Sequence, residues 1–426
     1  MSNKMMNLIG VGLVIATAIL LLTSKEMETR VAVSDMVGPC GITPGSVRII
    51  ANDFPASQAV SAEAMKCDGG GASVSVNLNK DYKDLIVAAM TANPAEYTTS
   101  HATNSTLVTL MNDDLVRPLN DYVAKYGQDI AKSQLITVDG NVMAIAFMAN
   151  AQHLFYRQDI LDAAGVGVPA SYDEVLAAAK AIKDKGLMDY PIAGTYKAGW
   201  NLGEEFVNMY LGHGGSFFKA GSAEPAINNA QGVATLNMMK ALSEYMNPDF
   251  LTHDSNAVQA SWEAGNVAMT NLWGSRAGAV TDGEGSTADI EKNTKFASAP
   301  TAAGGSIPSS TLWWDGFAIA KNISDADAEA TFQVIMAGIS PDMAKANADK
   351  ANWLMAGVPA RAAGVGVIAT AQGAAAPYPM LPYMGTLHGA AGGELADFLQ
   401  GKESAEQALA DIEAAYRAAA KEKGFL

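Results

Sequence analysis

Tryptophan recurs in this chain beside glycine and small polar residues. Trp200 lies in Gly199-Trp200-Asn201, Trp273 precedes Gly274-Ser275-Arg276, and Trp313-Trp314 precedes Asp315-Gly316. Flat aromatic faces near a guanidinium and a carboxylate suit one ligand chemistry, a ring with an apolar C–H face and a rim of hydroxyls. Arg276 can donate several hydrogen bonds and Asp315 can accept them. Successive strand residues point to opposite faces, so only one of Trp313 and Trp314 is expected to meet a ligand. Asp53 and Phe54 follow the first expected strand, whose carboxyl end is where open α/β sheets bind. Phe147, Asn150 and Asn104 complete the expected ligand-binding set. N-capping is an equal reading of Asn104, and hinge hydrogen bonding is the plain reading of Asn150 and Gln152. Trp262 is read as core.

Signatures of catalysis are missing. No His-Glu-x-x-His, Cys-x-x-Cys or Gly-x-Ser-x-Gly run occurs. Gly401-Lys402 is followed by Glu403, which excludes a phosphate loop. Gly165-Val166-Gly167 and Gly364-Val365-Gly366 lack the third glycine of a dinucleotide fingerprint. The five histidines have no metal-ligand spacing. No catalytic residue, metal or cofactor is therefore expected. Carboxylate pairs for glycoside hydrolysis stay open, because such partners need only be neighbours in space.

At 426 residues the chain exceeds one ordinary core, so two lobes are expected. A formal net charge of −16 argues against a nucleic-acid partner, which needs clustered Lys and Arg. It suits a protein that stays monomeric. Residues 5–22 are apolar between Lys4 and Lys25. Residues 1–22 read as a signal peptide or an uncleaved membrane anchor, of borderline length for a span. Ala16-Thr17-Ala18 has the A-x-A pattern of a cleavage site, though cutting there would leave Ile19-Leu20-Leu21-Leu22 at the new terminus. Either way the body is exported, and residues 23–45 form a tether. An oxidising compartment favours a disulfide between Cys40 and Cys67, with two free buried thiols as the alternative.

The elements that must position these groups are legible from periodicity. Residues 47–50 read as a strand, and Pro55 can open a helix. Val74, Val76 and Leu78 alternate with polar residues as a half-buried strand does. Over residues 81–92 Tyr82, Leu85, Ile86, Ala89 and Met90 form one helical face, stopped by Asn93-Pro94. This alternation of strand and helix predicts a parallel sheet covered on both faces. Farther on, Ser171-Tyr172-Asp173-Glu174 and Ser404-Ala405-Glu406-Gln407 read as capping boxes that open helices.

Residues 139–165 carry the most specific pattern. An Asp-Gly turn leads into an apolar run, a polar break at Asn150-Ala151-Gln152-His153, then Leu154-Phe155-Tyr156 and a helix ending at Gly165. The chain here reads as crossing from one lobe to another. The segment resembles the crossover of family 1 extracellular solute-binding proteins, the sugar-capturing components of bacterial ABC importers, of maltose-binding-protein type. Phe155-Tyr156-Arg157-Gln158-Asp159 is similar to that family's aromatic pair and Tyr-x-x-Asp helix start, with Arg157 where Asn or Asp is usual. Residues 261–269 resemble its aromatic-x-x-Gly-x-x-Ala-Met run, and residues 212–218 its Gly-Gly-aromatic loop.

The resemblance implies an α/β fold of the two-lobed class II periplasmic-binding type, with hinge strands and the ligand cleft between lobes. Lobe 1 would take residues 46–148 plus about 300–345, and lobe 2 residues 149–299 plus about 346–426. Residues 296–300 would make a second crossing strand and residues 313–320 a return strand. The family places an aromatic in the cleft at the position of Trp273. The implied function is capture of a mono- or oligosaccharide without chemistry and its delivery to permease subunits in the membrane, in the periplasm or tethered at the inner membrane. Two rivals stand beside it. One is the same fold holding a polyol or polyamine, although Arg276 would repel a polycation. The other is an extracytoplasmic carbohydrate-active enzyme or sensor.

Overall fold

Apolar alternation decides which face of each strand is buried, and here it builds two sheets. The computed structural model describes residues 40–302, 304–358 and 364–426. The signal or anchor expected over residues 1–22, and residues 23–39 of the expected tether, lie outside the described residues. Among the described residues no helix is long and apolar enough to cross a membrane. The strands in chain order are β1 (Gly45–Ala51), β2 (Ala72–Leu78), β3 (Thr99–Thr103), β4 (Leu135–Val138), β5 (Asn141–Asn150), β6 (Gln152–Arg157), β7 (Ile192–Ala193), β8 (Met269–Trp273), β9 (Thr294–Ala297), β10 (Thr311–Ile319), β11 (Asn352–Trp353) and β12 (Ala376–Pro377).

The chain forms two compact units. Unit one takes the described residues of Met1–Asn150, Trp313–Arg361 and Tyr378–Pro382; unit two takes those of Ala151–Leu312, Ala362–Pro377 and Tyr383–Leu426. The first passage between units falls between Asn150 and Ala151, inside the expected crossover. The return falls between Leu312 and Trp313, within β10 and at the start of the expected return strand over residues 313–320, while residues 296–300 do not cross between units. Those residues overlap β9, which pairs with β6 inside unit two.

Unit one is built on a mixed sheet of order β11-β5-β10-β3-β1-β2, with β4 also on β5. The expected parallel sheet is only its β2-β1-β3 part. Antiparallel strands enter because the chain leaves the unit along β5 and comes back along β10, which pairs antiparallel with both β3 and β5. Alternation feeds a core on each face: Val47, Ile49 and Ala51 in one, Ile50 in the other. The Pro55–Met65 helix starts at its proline. The Tyr82–Thr91 helix buries Tyr82, Ile86, Ala89 and Met90, but Leu85 is exposed.

Two local devices shape β5. Asp139 and Gly140 close its hairpin with β4, at φ 49° and 80°. A two-residue hairpin of matching twist needs that left-handed backbone, which glycine adopts without strain and aspartate tolerates. Farther along, the pairing with β10 shifts so that Met148 faces Asp315 while Ala146 faces Gly316. Phe147 is the extra residue of a bulge, and its carbonyl accepts the Leu354 N–H at 2.9 Å. Gly316 is needed opposite the bulge, where a Cβ would lie 2.4 Å from the Ile145 carbonyl oxygen. Cys40 and Cys67 are joined in a disulfide with Cα atoms 5.1 Å apart. Closing that loop contributes about 3–4 kcal/mol in the chain-entropy account.

Unit two carries a smaller sheet of order β7-β8-β6-β9 surrounded by helices. Trp262 is core as expected, fully buried among Phe155, Leu272 and Ile290, with its Nε1 donating to Thr294 Oγ1 at 3.0 Å. The two expected capping boxes are half formed. Ser171 caps the N–H of Glu174, but the Glu174 carboxylate accepts from Ala170 N at 2.6 Å. Ser404 caps the N–H of Gln407, whose side chain donates to Asp411.

Candidate ligand-binding sites

In unit one the carboxyl end of β1 delivers Asp53 and Phe54. Asp53 accepts from Gln58 Nε2 at 2.8 Å, and Phe54 is buried at the head of the Pro55–Met65 helix. Alternation along β10 sends Phe317 to one core and Trp314 to the other, which puts Asp315 on the Phe317 side. Asp315 Oδ1 lies 2.9 Å from Nε2 of His101, a β3 residue that sequence reading left unassigned. The other ring nitrogen, Nδ1, takes the Asn52 N–H at 3.3 Å. The imidazole is wholly buried, with ring centroids of Tyr82, Phe147, Phe54 and Phe317 at 5.2, 5.8, 5.9 and 6.2 Å. Burial first, and the Asp315 charge second, push the Tyr82 phenol well above its ordinary pKa.

Asn104 is not the N-cap. Thr103 caps the Asn104–Asn112 helix in a reciprocal box with Thr106. Asn104 Oδ1 instead accepts the Trp314 backbone N–H at 3.0 Å. The ladder between β3 and β10 ends at Thr103 opposite Asp315, so the asparagine supplies the acceptor that β3 no longer can. Asn150 is the last residue of β5 and pairs with Trp313, whose ring lies 4.3 Å from that of Tyr378. Phe147 and Trp314 are core side chains, at 0% and 1% exposure. The bulge turns Phe147 against Phe317 and Trp353, and strand alternation sends Trp314 to the opposite core.

In unit two Trp273 ends β8 and Trp200 opens the Trp200–Gly212 helix. Their rings stack with centroids 6.3 Å apart and planes 28° from parallel. His388 stacks on Trp200 at 5.0 Å and its Nε2 donates to the Trp200 carbonyl at 2.7 Å. Arg276 is largely buried and donates from Nη1 to Gln259 Oε1 at 3.2 Å.

The polar break at Asn150-Ala151-Gln152-His153 also resolves into defined contacts. Gln152 is wholly buried; its Nε2 donates to Glu205 Oε1 at 3.0 Å and its Oε1 accepts from Asn208 Nδ2 at 3.1 Å. Thr195 donates to the same carboxylate, and burial pushes the Glu205 pKa up. His153 stacks on Phe155 at 4.6 Å, and burial lowers its pKa to about 4. Among the described residues no group of three or more His, Cys, Asp or Glu is placed to hold a metal.

Thus Phe54, Phe147 and Asp315 meet around His101, Asn104 meets Trp314, Asn150 pairs with Trp313, and Trp200 meets Trp273. The model of the bacterial extracellular solute-binding protein family matches residues 79–345, well over half of the chain, and the chain belongs to that family. Solved structures share the fold. The ABC transporter solute-binding protein of Agrobacterium radiobacter K84 in complex with ribitol has a TM-score of 0.78 at 20% identity, covering 89% of this chain and 99% of that one. Maltose-bound T. maritima MalE3 gives 0.75 at 17% identity, with 88% and 99% covered. The Agrobacterium vitis S4 solute-binding protein with bound D-mannitol gives 0.74 at 20%, with 89% and 99% covered. At such identities the likeness is one of fold, and the expected class, the two-lobed α/β fold of periplasmic binding proteins, is the one found. A search of curated proteins finds no match.

Proposed function

We propose that this chain is the substrate-binding component of an ABC transporter, capturing a mono- or oligosaccharide and delivering it to membrane permease subunits. The observation that carries the reading is the Trp200–Trp273 stack in a member of this family, since an indole surface suits the apolar face of a sugar ring. Ligand contact is assigned to Asp53, Asn150, Trp313 and Asp315 in unit one and to Trp200, Trp273 and Arg276 in unit two. Phe54, Asn104, Phe147 and Trp314 are assigned to holding those groups in place. Micromolar capture corresponds to about −8 kcal/mol. The ligand shifts the protein toward a delivering conformation only by binding that conformation better.

A polyol is the second reading, favoured by the ribitol and D-mannitol bound to two proteins of the same fold. The body is assigned outside the cytoplasmic membrane as a monomer, with residues 5–22 as a cleaved signal or a tether, and the ligand leaves unchanged. A thermal-shift screen of sugars, polyols and polyamines on the purified full chain tests this. Ligand at a hundred times Kd stabilises by about 2.7 kcal/mol, so one sugar or polyol should raise Tm clearly. A shift with polyamines alone, no shift at all, or turnover of a bound oligosaccharide seen by chromatography would overturn the reading.

A further inference from the structure

We propose that His101 is a positioning residue for ligand recognition: fixed between Asn52 and Asp315, it aims the Asp315 carboxylate at one hydroxyl of the captured sugar or polyol. This deepens the functional reading above and rests on it.

A neutral imidazole has one N–H and one bare nitrogen. Nδ1 faces the Asn52 backbone N–H at 3.3 Å, a group that can only donate, so the bare nitrogen is Nδ1. The proton therefore sits on Nε2 and is donated to Asp315 Oδ1 at 2.9 Å. Rotation of the ring is blocked. Tyr82 stacks on it at an interplanar angle of 14° and Phe54 at 26°, while Phe147 and Phe317 close the remaining sides. The backbone of Asp315 is held as firmly. It pairs with Thr103 on one side and Met148 on the other, next to the bulge that demands Gly316.

One carboxylate oxygen is thus committed inward. The Asp315 side chain keeps 12% exposure against 0% for His101, and among the described residues no donor reaches Oδ2. An ionised carboxylate oxygen only accepts, so its complement is a hydroxyl or amine donor. A donor pinned behind a carboxylate removes the rotamer freedom that binding would otherwise have to freeze. A site built around a hydroxyl rejects the analogue that lacks it, because the acceptor is then left unpaired.

The test titrates D-mannitol, ribitol and maltose into the wild-type full chain and takes the tightest binder as probe. His101→Phe keeps an aromatic ring but loses the donor, and His101→Gln restores a donor amide. The proposal expects His101→Phe to weaken the probe at least tenfold on the wild-type background and less than twofold on Asp315→Asn. It expects His101→Gln to recover most of the loss. Side-chain nitrogen NMR of the unliganded wild type should show His101 as the Nε2–H tautomer, a reading that holds even where a variant fails to fold. Equal weakening on both backgrounds, or a proton on Nδ1 at neutral pH, overturns the proposal while the sugar reading stands. If none of the three binds, the tightest sugar or polyol of the thermal-shift screen serves as probe, and if that screen yields none, the sugar or polyol reading fails and this assignment fails with it.

Discussion

The carboxamide oxygen of Asn104 takes the backbone N–H of Trp314 at 3.0 Å, closing the gap left where β3 ends. Both residues are almost wholly buried. Asn104→Ala should strand that N–H and lower stability by about 1–3 kcal/mol, the usual penalty for an unpaired buried donor. Asn104→Asp keeps the acceptor and should lose less. Urea unfolding of the two variants decides it, and equal losses would count against the bond.

Trp200 is the better probe of the aromatic pair, because it is only half-buried while Trp273 is 8% exposed. Truncating Trp273 should cost about 3–5 kcal/mol of stability and confuse the reading. Trp200→Ala is expected to weaken sugar binding at least tenfold with a smaller change in Tm. Calorimetric titration reads the first and a thermal melt the second; unchanged affinity would remove Trp200 from the ligand set.

His153 supplies a pH dependence with a definite sign. Burial lowers its pKa to about 4 from 6.5. Between those values the unfolded chain binds the extra proton, so stability is full above 6.5 and falls as pH drops toward 4. A single such group gives a slope of at most about 1.4 kcal/mol per pH unit. His153→Leu should flatten the dependence of the urea midpoint between pH 7 and 4.5. Parallel curves for variant and wild type would show that another group is responsible.

Gly316→Ala forces a methyl against the Ile145 carbonyl at the bulge. Overpacking of this kind lowers stability by about 1–3 kcal/mol. Because Asp315 is the neighbouring residue, ligand affinity should fall too. A variant that melts and binds like wild type would mean the bulge relaxes freely.

Replacing Cys40 and Cys67 together by serine should lower unfolding free energy by about 3–4 kcal/mol in oxidising buffer. The same difference should vanish when both proteins are measured in excess dithiothreitol. A difference that survives the reductant would point to lost packing of the buried Cys67 instead.

The crossover was legible because its signals are local. The Asp139-Gly140 turn, the apolar run and the polar break all lie within one stretch, and the passage between units does fall at Asn150 and Ala151. The return strand is legible over residues 313–320, but the crossing expected at residues 296–300 is not one. Whether a short strand such as β9 ends a sheet or leaves it depends on its pairing with β6, which no local pattern records. The core place of Phe147 is not legible either, since a bulge that shifts the facing of β5 shows only in its pairing with β10. His101 had no signal at all. Its partners Asn52 and Asp315 stand 49 and 214 positions away, and its chemistry exists only once β3 and β10 lie side by side. Asn104 reads from sequence as a ligand contact or an N-cap, but its acceptor duty toward Trp314 arises only from β10 docking.

Strand β10 lies between β3 and β5 in the sheet of unit one, yet it leaves the ribosome long after both. Until it arrives, β2-β1-β3 and the β4-β5 hairpin are separate ribbons, each with a bare edge. Such edges recruit other chains as readily as the missing strand. A premature stop ahead of residue 311 therefore does more than delete the C-terminal quarter. It splits the first unit's sheet down the middle, so neither part of this chain can be borrowed as a stand-alone module.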